Sequence, residues 1–226
     1  RLDEISQGWG MKIKLIISAA VAAFTVASSM AFAESAVGNG GFGFVCSQGA
    51  STPEYWEFEL LDVFEGRKLN QFTYKQLYSN PTEKVQRVID TLLKASLPVW
   101  HYNQIKGWYD SFISESKLVP DSQLLQPADT GHLLNRRGCE LVTFAVQSQV
   151  DSPGFKHYFL NEKYWPHLDK ATKEALKLHE ILYRFRGSRT MPTSTKIRRI
   201  NRWLLSDESD SADIETLRQR LAELTK

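Results

Sequence analysis

No apolar run in this 226-residue chain is long enough to cross a membrane. The longest, Leu15 to Ala27, has thirteen residues, short of the ~20 that a spanning helix needs. The chain also has no CxxC pair, no internal repeat and no low-complexity tract. Its one His-Glu pair has no second histidine three residues beyond. These absences exclude a zinc ribbon, a thioredoxin-like redox motif, a solenoid and an intact HExxH zinc helix. Charge of one sign is missing too, since 28 Lys and Arg stand against 26 Asp and Glu, a net +2. That balance gives no global attraction to nucleic acid.

What is present begins at Met11. Lys12 and Lys14 form a positive n-region, LIISAAVAAFTVA an apolar h-region, and Ala31-Phe32-Ala33 a small-x-small cleavage site. Together they read as a signal peptide over 11–33, cleaved after Ala33, which predicts a periplasmic or secreted protein. Residues 1–10 show no apolar periodicity and are read as upstream sequence. Residues 1–33 hold three basic and two acidic side chains, so the remainder carries +1. Export takes NAD, ATP and most nucleic acid out of reach, and no cofactor is expected. Gly38-Asn39-Gly40-Gly41-Phe42-Gly43 matches GxGxxG in letters only, because a dinucleotide loop must follow a strand and open a helix.

Cys46 and Cys139 are the only cysteines, and in an oxidising compartment two such residues pair. Each lies at the edge of an aromatic or β-branched run, GFGFVC and GCELVTFAVQ. Alternation from Tyr55 to Leu61 predicts a half-buried strand, and LLDVFEG a short helix that Gly66 stops. Asn80, Pro81 and Glu83 predict a capping box opening a helix with a stripe of Val85, Val88, Ile89, Leu92 and Leu93. Pro98 restarts the chain into a helix whose Ile105, Trp108 and Phe112, with Trp100, face inward. Residues 117–138 read as an irregular connection, and Cys139–Gln147 as one strand. Three helices close the chain, one over about 169–185, one capped by Thr193 or Ser194 with Ile197, Ile200 and Leu204 as its stripe, and one over about 212–224. The pattern predicts an α+β fold with a small, mostly antiparallel sheet, several packed helices and a helical C-terminal half. A single globular domain is expected over 34–206, followed by an acidic linker and C-terminal helix at 207–226.

KLHEILYRFRG at 177–187 is the segment richest in chemistry. At 100° per residue Leu168, Ala171, Ala175, Leu178, Leu182 and Phe185 share an arc of about 100° that makes the core stripe. His179 lies about 70° from its centre and Glu180 about 170° away. Zinc needs two imidazoles at i and i+4, and here Tyr183 stands in the second position, a phenol of pKa about 10. His179, Glu180, Tyr183 and Arg184 are therefore candidate catalytic residues for which a structural role is favoured, with no metal expected. The bland arrangement pairs Glu180 with Arg184 and leaves His179 at the core margin.

Several blocks in this order, Gly38-Asn39-Gly40-Gly41, Val45-Cys46, Leu61-Asp62, Gly138-Cys139, Leu178-His179-Glu180, Tyr183-Arg184 and Arg198-Arg199, resemble an uncharacterised family of exported bacterial proteins. Phe42-Gly43-Phe44 departs from the polar and β-branched residues that usually follow GNGG in it. The resemblance implies export and an architecture, and it implies no reaction.

Residues 170–202 hold ten basic and two acidic side chains, and 207–215 hold five acids and no base. One class of function is thus a binding or interaction module of the cell envelope. Arg198, Arg199 and Arg202 would face an anionic envelope component or an acidic protein. The other is a metal-dependent hydrolase built on the degenerate His-Glu helix, with Glu180 as general base. The acidic linker is expected to fold back on the basic segment.

Overall fold

The computed structural model describes residues 36–37, 41–47, 49, 52–124, 136–148, 156–187 and 194–225. The leader, the upstream residues, Gly38-Asn39-Gly40 and the turn at 151–154 lie outside the described residues. Val37–Lys226 form one compact unit, and it is α+β with a helical C-terminal half. No helix among the described residues is long and apolar enough to cross a membrane.

The first sheet orders β2 (Glu57–Leu60), β1 (Phe42–Cys46) and β4 (Glu140–Thr143), antiparallel throughout. Cys46 faces Glu57 at the end of that ladder and is bonded to Cys139, so the expected disulfide closes this edge. Gly138 has φ +77°, and this left-handed turn delivers Cys139 to its partner. The second sheet aligns β5 (Ala145–Ser148), β6 (Tyr158–Asn161) and β3 (Ser116–Val119), with β3 and β6 parallel.

The strand expected over Cys139–Gln147 is two strands in two sheets. Between them Phe144 leaves the ladder, and its N–H donates to the Gly41 carbonyl at 2.9 Å while its ring is fully buried. That ring occupies the space beside Gly43, where a Cβ would lie 2.0 Å from it. Gly43 is thus required by close packing. Strand β3 falls within the stretch expected to be irregular, because four residues with Lys117 and Leu118 exposed give no alternation to read.

Helix α1 (Leu61–Leu69) runs past Gly66, so Gly66 is not its stop. A Cβ there would come 1.7 Å from the Tyr74 hydroxyl, which donates to the Arg202 carbonyl at 3.0 Å. The glycine lets another segment dock. After α2 (Lys75–Ser79), Asn80 links two helices through its main chain, its N–H to Gln76 and its carbonyl to Lys84, without side-chain capping. The capping box is therefore not formed. Helix α3 (Pro81–Arg87) continues through a π turn at Val88–Leu93 into α4 (Lys94–Ser96), and its expected stripe is buried. Pro98 opens α5 (Val99–Ser111), where Ile105 and Phe112 are buried but Trp100 is 62% exposed.

Helices α6 (Lys170–Gly187), α7 (Ser194–Leu205) and α8 (Ile214–Thr225) complete the fold. Asp169 caps α6 by accepting the Thr172 N–H at 2.8 Å, and Asp213 does the same for α8 through Thr216 at 2.7 Å. Ile197, Ile200 and Leu204 bury the stripe of α7, and Leu217 and Leu221 of α8 join the same core. The acidic turn at 207–211 packs against α2 and α3. Asp207 accepts the N–H groups of Lys75 and Gln76, and Lys84 Nζ meets Ser206 O at 2.6 Å and Asp210 at 2.8 Å. The expected fold-back onto residues 170–202 is thus replaced by contacts with 73–87. Orphan N–H groups and a buried ammonium at that place offer stronger partners than exposed lysines.

Candidate functional site

Helix α6 is the hub of the molecule. It packs against α3, α5, α7, α8, β2 and β5, so it is enclosed on nearly every side. The His-Glu pair therefore sits inside the protein. His179 is 1% exposed and Glu180 0%. Glu180 does not pair with Arg184. Its Oε1 accepts the Gly41 N–H at 2.7 Å, and Oε2 accepts from Gln147 Nε2 at 2.7 Å. Gln147 Nε2 also donates to the Glu180 carbonyl at 2.5 Å. The carboxylate ties α6 to the N-terminal approach of β1 and to β5. Glycine at 41 allows this close approach, since a Cβ would meet Leu176 Cδ1 at 1.9 Å and Glu180 Oε1 at 3.0 Å.

His179 points elsewhere. Its Nδ1 lies 2.7 Å from Asp62 Oδ2 on α1, and the same oxygen accepts Asn201 Nδ2 from α7 at 2.7 Å. Asn201 Nδ2 also reaches the Ala175 carbonyl at 3.2 Å. Three helices thus meet on one carboxylate oxygen. Burial opposes charge on both partners, but the attraction between them and their hydrogen bond prevail. The Asp62 carboxyl is held below its ordinary value and the His179 imidazole above its own. Both directions describe an imidazolium–carboxylate pair. Among the described residues Asp62 Oδ1, His179 Nε2 and Asn201 Oδ1 have no protein hydrogen-bond partner. Burial also raises the Glu180 carboxyl, against the charge of His179 and the bonds from Gln147 and Gly41.

The charge network continues along α1. Glu65 Oε2 accepts from Arg198 Nε at 3.2 Å and from Arg202 NH1 at 3.4 Å, and Arg198 NH1 reaches Ser194 Oγ at 3.1 Å. Of the three arginines singled out for binding, Arg198 is 2% exposed and Arg202 half-buried, while Arg199 is exposed. Arg184 bonds Glu115 at 2.6 Å and the Tyr158 hydroxyl at 3.3 Å, with its guanidinium over the Trp108 ring. Tyr183 is buried. The structure brings His179 and Glu180 into one interior seam, and it sends Arg184 and the α7 arginines to other carboxylates. Among the described residues no three His, Cys, Asp or Glu side chains converge as a metal-holding group.

Sequence reasoning missed Asp62, Glu65, Gln147 and Asn201. Asp62 did carry a signal, because it interrupts the apolar run Leu60-Leu61-Asp62-Val63-Phe64. A carboxylate there is buried by its neighbours and needs an internal cation or donors. Asn201 stands likewise between Ile200 and Trp203.

The open surface lies elsewhere, around Trp56. One recess of about 440 Å³ is lined by Ser47, Trp56, Cys139, Glu140, Lys163 and Tyr164, among others. A second, of about 310 Å³, is lined by Trp56, Glu57, Glu59, Arg67, Tyr78 and Arg136, with His167 and Asp169. They share the indole. Trp56 is held by the Tyr164 ring at 5.9 Å and the Phe58 ring at 6.3 Å, and Lys163 Nζ lies 5.7 Å from its centroid. Arg136 bridges Glu59 at 3.0 Å and Glu57 at 3.3 Å, and Arg67 also pairs with Glu59. Burial raises the Glu59 carboxyl against these two arginines. This surface offers an aromatic platform among fixed donors and acceptors. Set against protein-family models, curated proteins and solved structures, the chain matches none.

Proposed function

We propose that the protein is an exported, disulfide-stapled binding module of the bacterial cell envelope, and that it meets its ligand at the double recess around Trp56. The pair of adjoining recesses that share a rigidly held indole is the observation on which this reading rests. Concave surfaces with aromatic walls and a few convergent polar groups are where small ligands and chain segments dock. The leader-like segment at 11–33 and the Cys46–Cys139 bond support an oxidising compartment.

The interior supports the same division. His179 bonds Asp62 on α1, and Glu180 bonds Gly41 just ahead of β1 and Gln147 on β5, which favours a role in holding the fold over general-base chemistry. Within the basic segment, Arg198 and Arg202 are turned to Glu65 and Arg184 to Glu115. Attraction to an anionic envelope component or acidic protein is therefore secondary to the Trp56 surface.

The test is cosedimentation of the folded protein with isolated bacterial envelope fragments, beside Trp56→Ala and Tyr78→Ala. Binding should fall about tenfold or more in both variants, as for truncated aromatic anchors. Fragments that bind wild type and Tyr78→Ala alike would remove the recess from the account. The compartment is checked by intact mass, which should show an N-terminus at Glu34 in exported protein.

A further inference from the structure

The chemistry of the Trp56 walls narrows the ligand class. Glu57, Glu59 and Asp169 stand beside Arg67, Arg136 and His167 in one recess, and Glu140 beside Lys163 in the other. The principal charges are already paired within the protein. An anionic ligand would meet the carboxylates, and a cationic one the guanidinium groups. A neutral, hydroxyl-rich ligand meets neither penalty, because each hydroxyl can donate to a carboxylate and accept from a guanidinium. The platform imposes the second requirement. Trp56 and Tyr78 present ring surface beside these polar groups, with the buried Tyr164 ring behind the indole, and a pyranose ring has the matching shape, an apolar C–H face with hydroxyls around its rim. Trp56 is fixed by Phe58, Tyr164 and Lys163 before any ligand arrives, so little side-chain entropy is lost on stacking. Two recesses that adjoin at one indole suit consecutive units of a chain better than one isolated sugar. Their volumes fall in the ~300–1,000 Å³ range of small-ligand sites.

We infer that the double recess around Trp56 binds a linear oligosaccharide, with neighbouring sugar units stacked at Trp56 and Tyr78 and their hydroxyls bonded to Glu57, Arg136 and Lys163. This inference rests on the binding-module reading and adds the ligand class. The competing occupant is an extended peptide added to the outer edge of β2. Main-chain hydrogen bonds would hold such a peptide, and it would have little need of Tyr78.

Envelope fragments treated beforehand with a mixture of endoglycosidases, or separately with protease, decide between them. Cosedimentation of the full folded protein should be lost after the glycosidases and kept after the protease. The released, size-fractionated oligosaccharides should compete, and monosaccharides should compete at least about tenfold more weakly. Tyr78→Ala, at an exposed position whose loss leaves the core intact, should lower affinity for the oligosaccharide fraction about tenfold. Glu57→Gln should lower it less and leave the melting temperature unchanged. Should Trp56→Ala fail to fold, these two variants carry the result. Binding that survives the glycosidases and disappears with protease overturns the saccharide class while leaving the binding module in place. Oligosaccharide binding indifferent to Tyr78→Ala and Glu57→Gln overturns the site. Absence of any fragment binding by wild type overturns both readings.

Discussion

Replacing His179 by alanine tests the interior seam. The substitution removes the one cation that, among the described residues, is bonded to Asp62, whose side chain is fully buried. What remains at Oδ2 is the neutral donor Asn201 Nδ2, and Oδ1 has no protein partner among the described residues. Breaking a buried ion pair from one side typically costs about 3–5 kcal/mol, since the surviving charge stays desolvated. Against a total stability of about 5–15 kcal/mol this is a large fraction. For a domain of this size it corresponds to a fall of roughly 6–20 °C in melting temperature. Urea unfolding followed by circular dichroism measures it directly. The double variant His179→Leu with Asp62→Leu should recover much of the loss, because both charges leave together. A single variant within about 0.5 kcal/mol of wild type would refute the reasoning, for it would place the cost in the range of neutral surface changes.

The same pair sets a pH profile. The raised His179 imidazole contributes stability that is complete below its unfolded pKa of about 6.5 and lost as pH climbs through the folded value. Asp62, held low, contributes above its unfolded pKa of about 3.9 and loses that as pH falls through the folded value. Glu180, raised by burial, loses its contribution as pH rises from its unfolded value of about 4.5 through the folded one, so denaturation curves should peak at about pH 4–4.5 and fall above it. Glu180→Gln should flatten the alkaline slope, and an unchanged slope would contradict the assignment. Reduction of Cys46–Cys139, or its replacement by a Cys46→Ala, Cys139→Ala pair, should cost about 4–5 kcal/mol by the chain-entropy model for a sequence separation of 93. Melting with and without reductant reads it. Gly43→Ala should destabilise by about 1–3 kcal/mol, as its Cβ would meet the Phe144 ring at 2.0 Å and the Glu59 carbonyl at 2.7 Å. Lys84→Met frees the 207–211 turn from α3, and hydrogen exchange should show the amides of Ser206, Ser209 and α8 opening sooner than in wild type.

The parts of the fold that were legible in the sequence are those governed by local rules. Alternation marked β2, Pro98 marked the start of α5, and the stripes of α3 and α7 were read residue by residue. The aromatic runs around Cys46 and Cys139, with the compartment argument, were enough to pair two cysteines 93 positions apart. What failed depended on contacts distant in sequence. The single amphipathic arc assigned to α6 left Leu176, Ile181 and Tyr183 outside the core stripe, yet all three are buried. Apolar residues outside one arc are the mark of a helix enclosed all round, and on such a helix an i,i+4 salt bridge is not the default. Glu180 accordingly turned to Gly41, 139 positions away, and His179 to Asp62, 117 away. Gly66 was read as a stop because local rules cannot foresee Tyr74 packing against it. Nothing in local spacing places Arg136 beside Glu57 and Glu59, or Tyr78 in the same recess as Trp56.

The central claim is a division of labour, in which the His-Glu helix holds the fold and the Trp56 surface does the binding. One paired measurement tests it most directly, the affinity of Tyr78→Ala and of Glu180→Gln for envelope fragments, each with its melting temperature. Tyr78→Ala should bind about tenfold more weakly at an unchanged melting temperature. Glu180→Gln should bind as wild type does once corrected for folded fraction, while its melting temperature moves. The reverse outcome, binding lost in Glu180→Gln at full stability and kept in Tyr78→Ala, would contradict the account and return the functional site to KLHEILYRFRG.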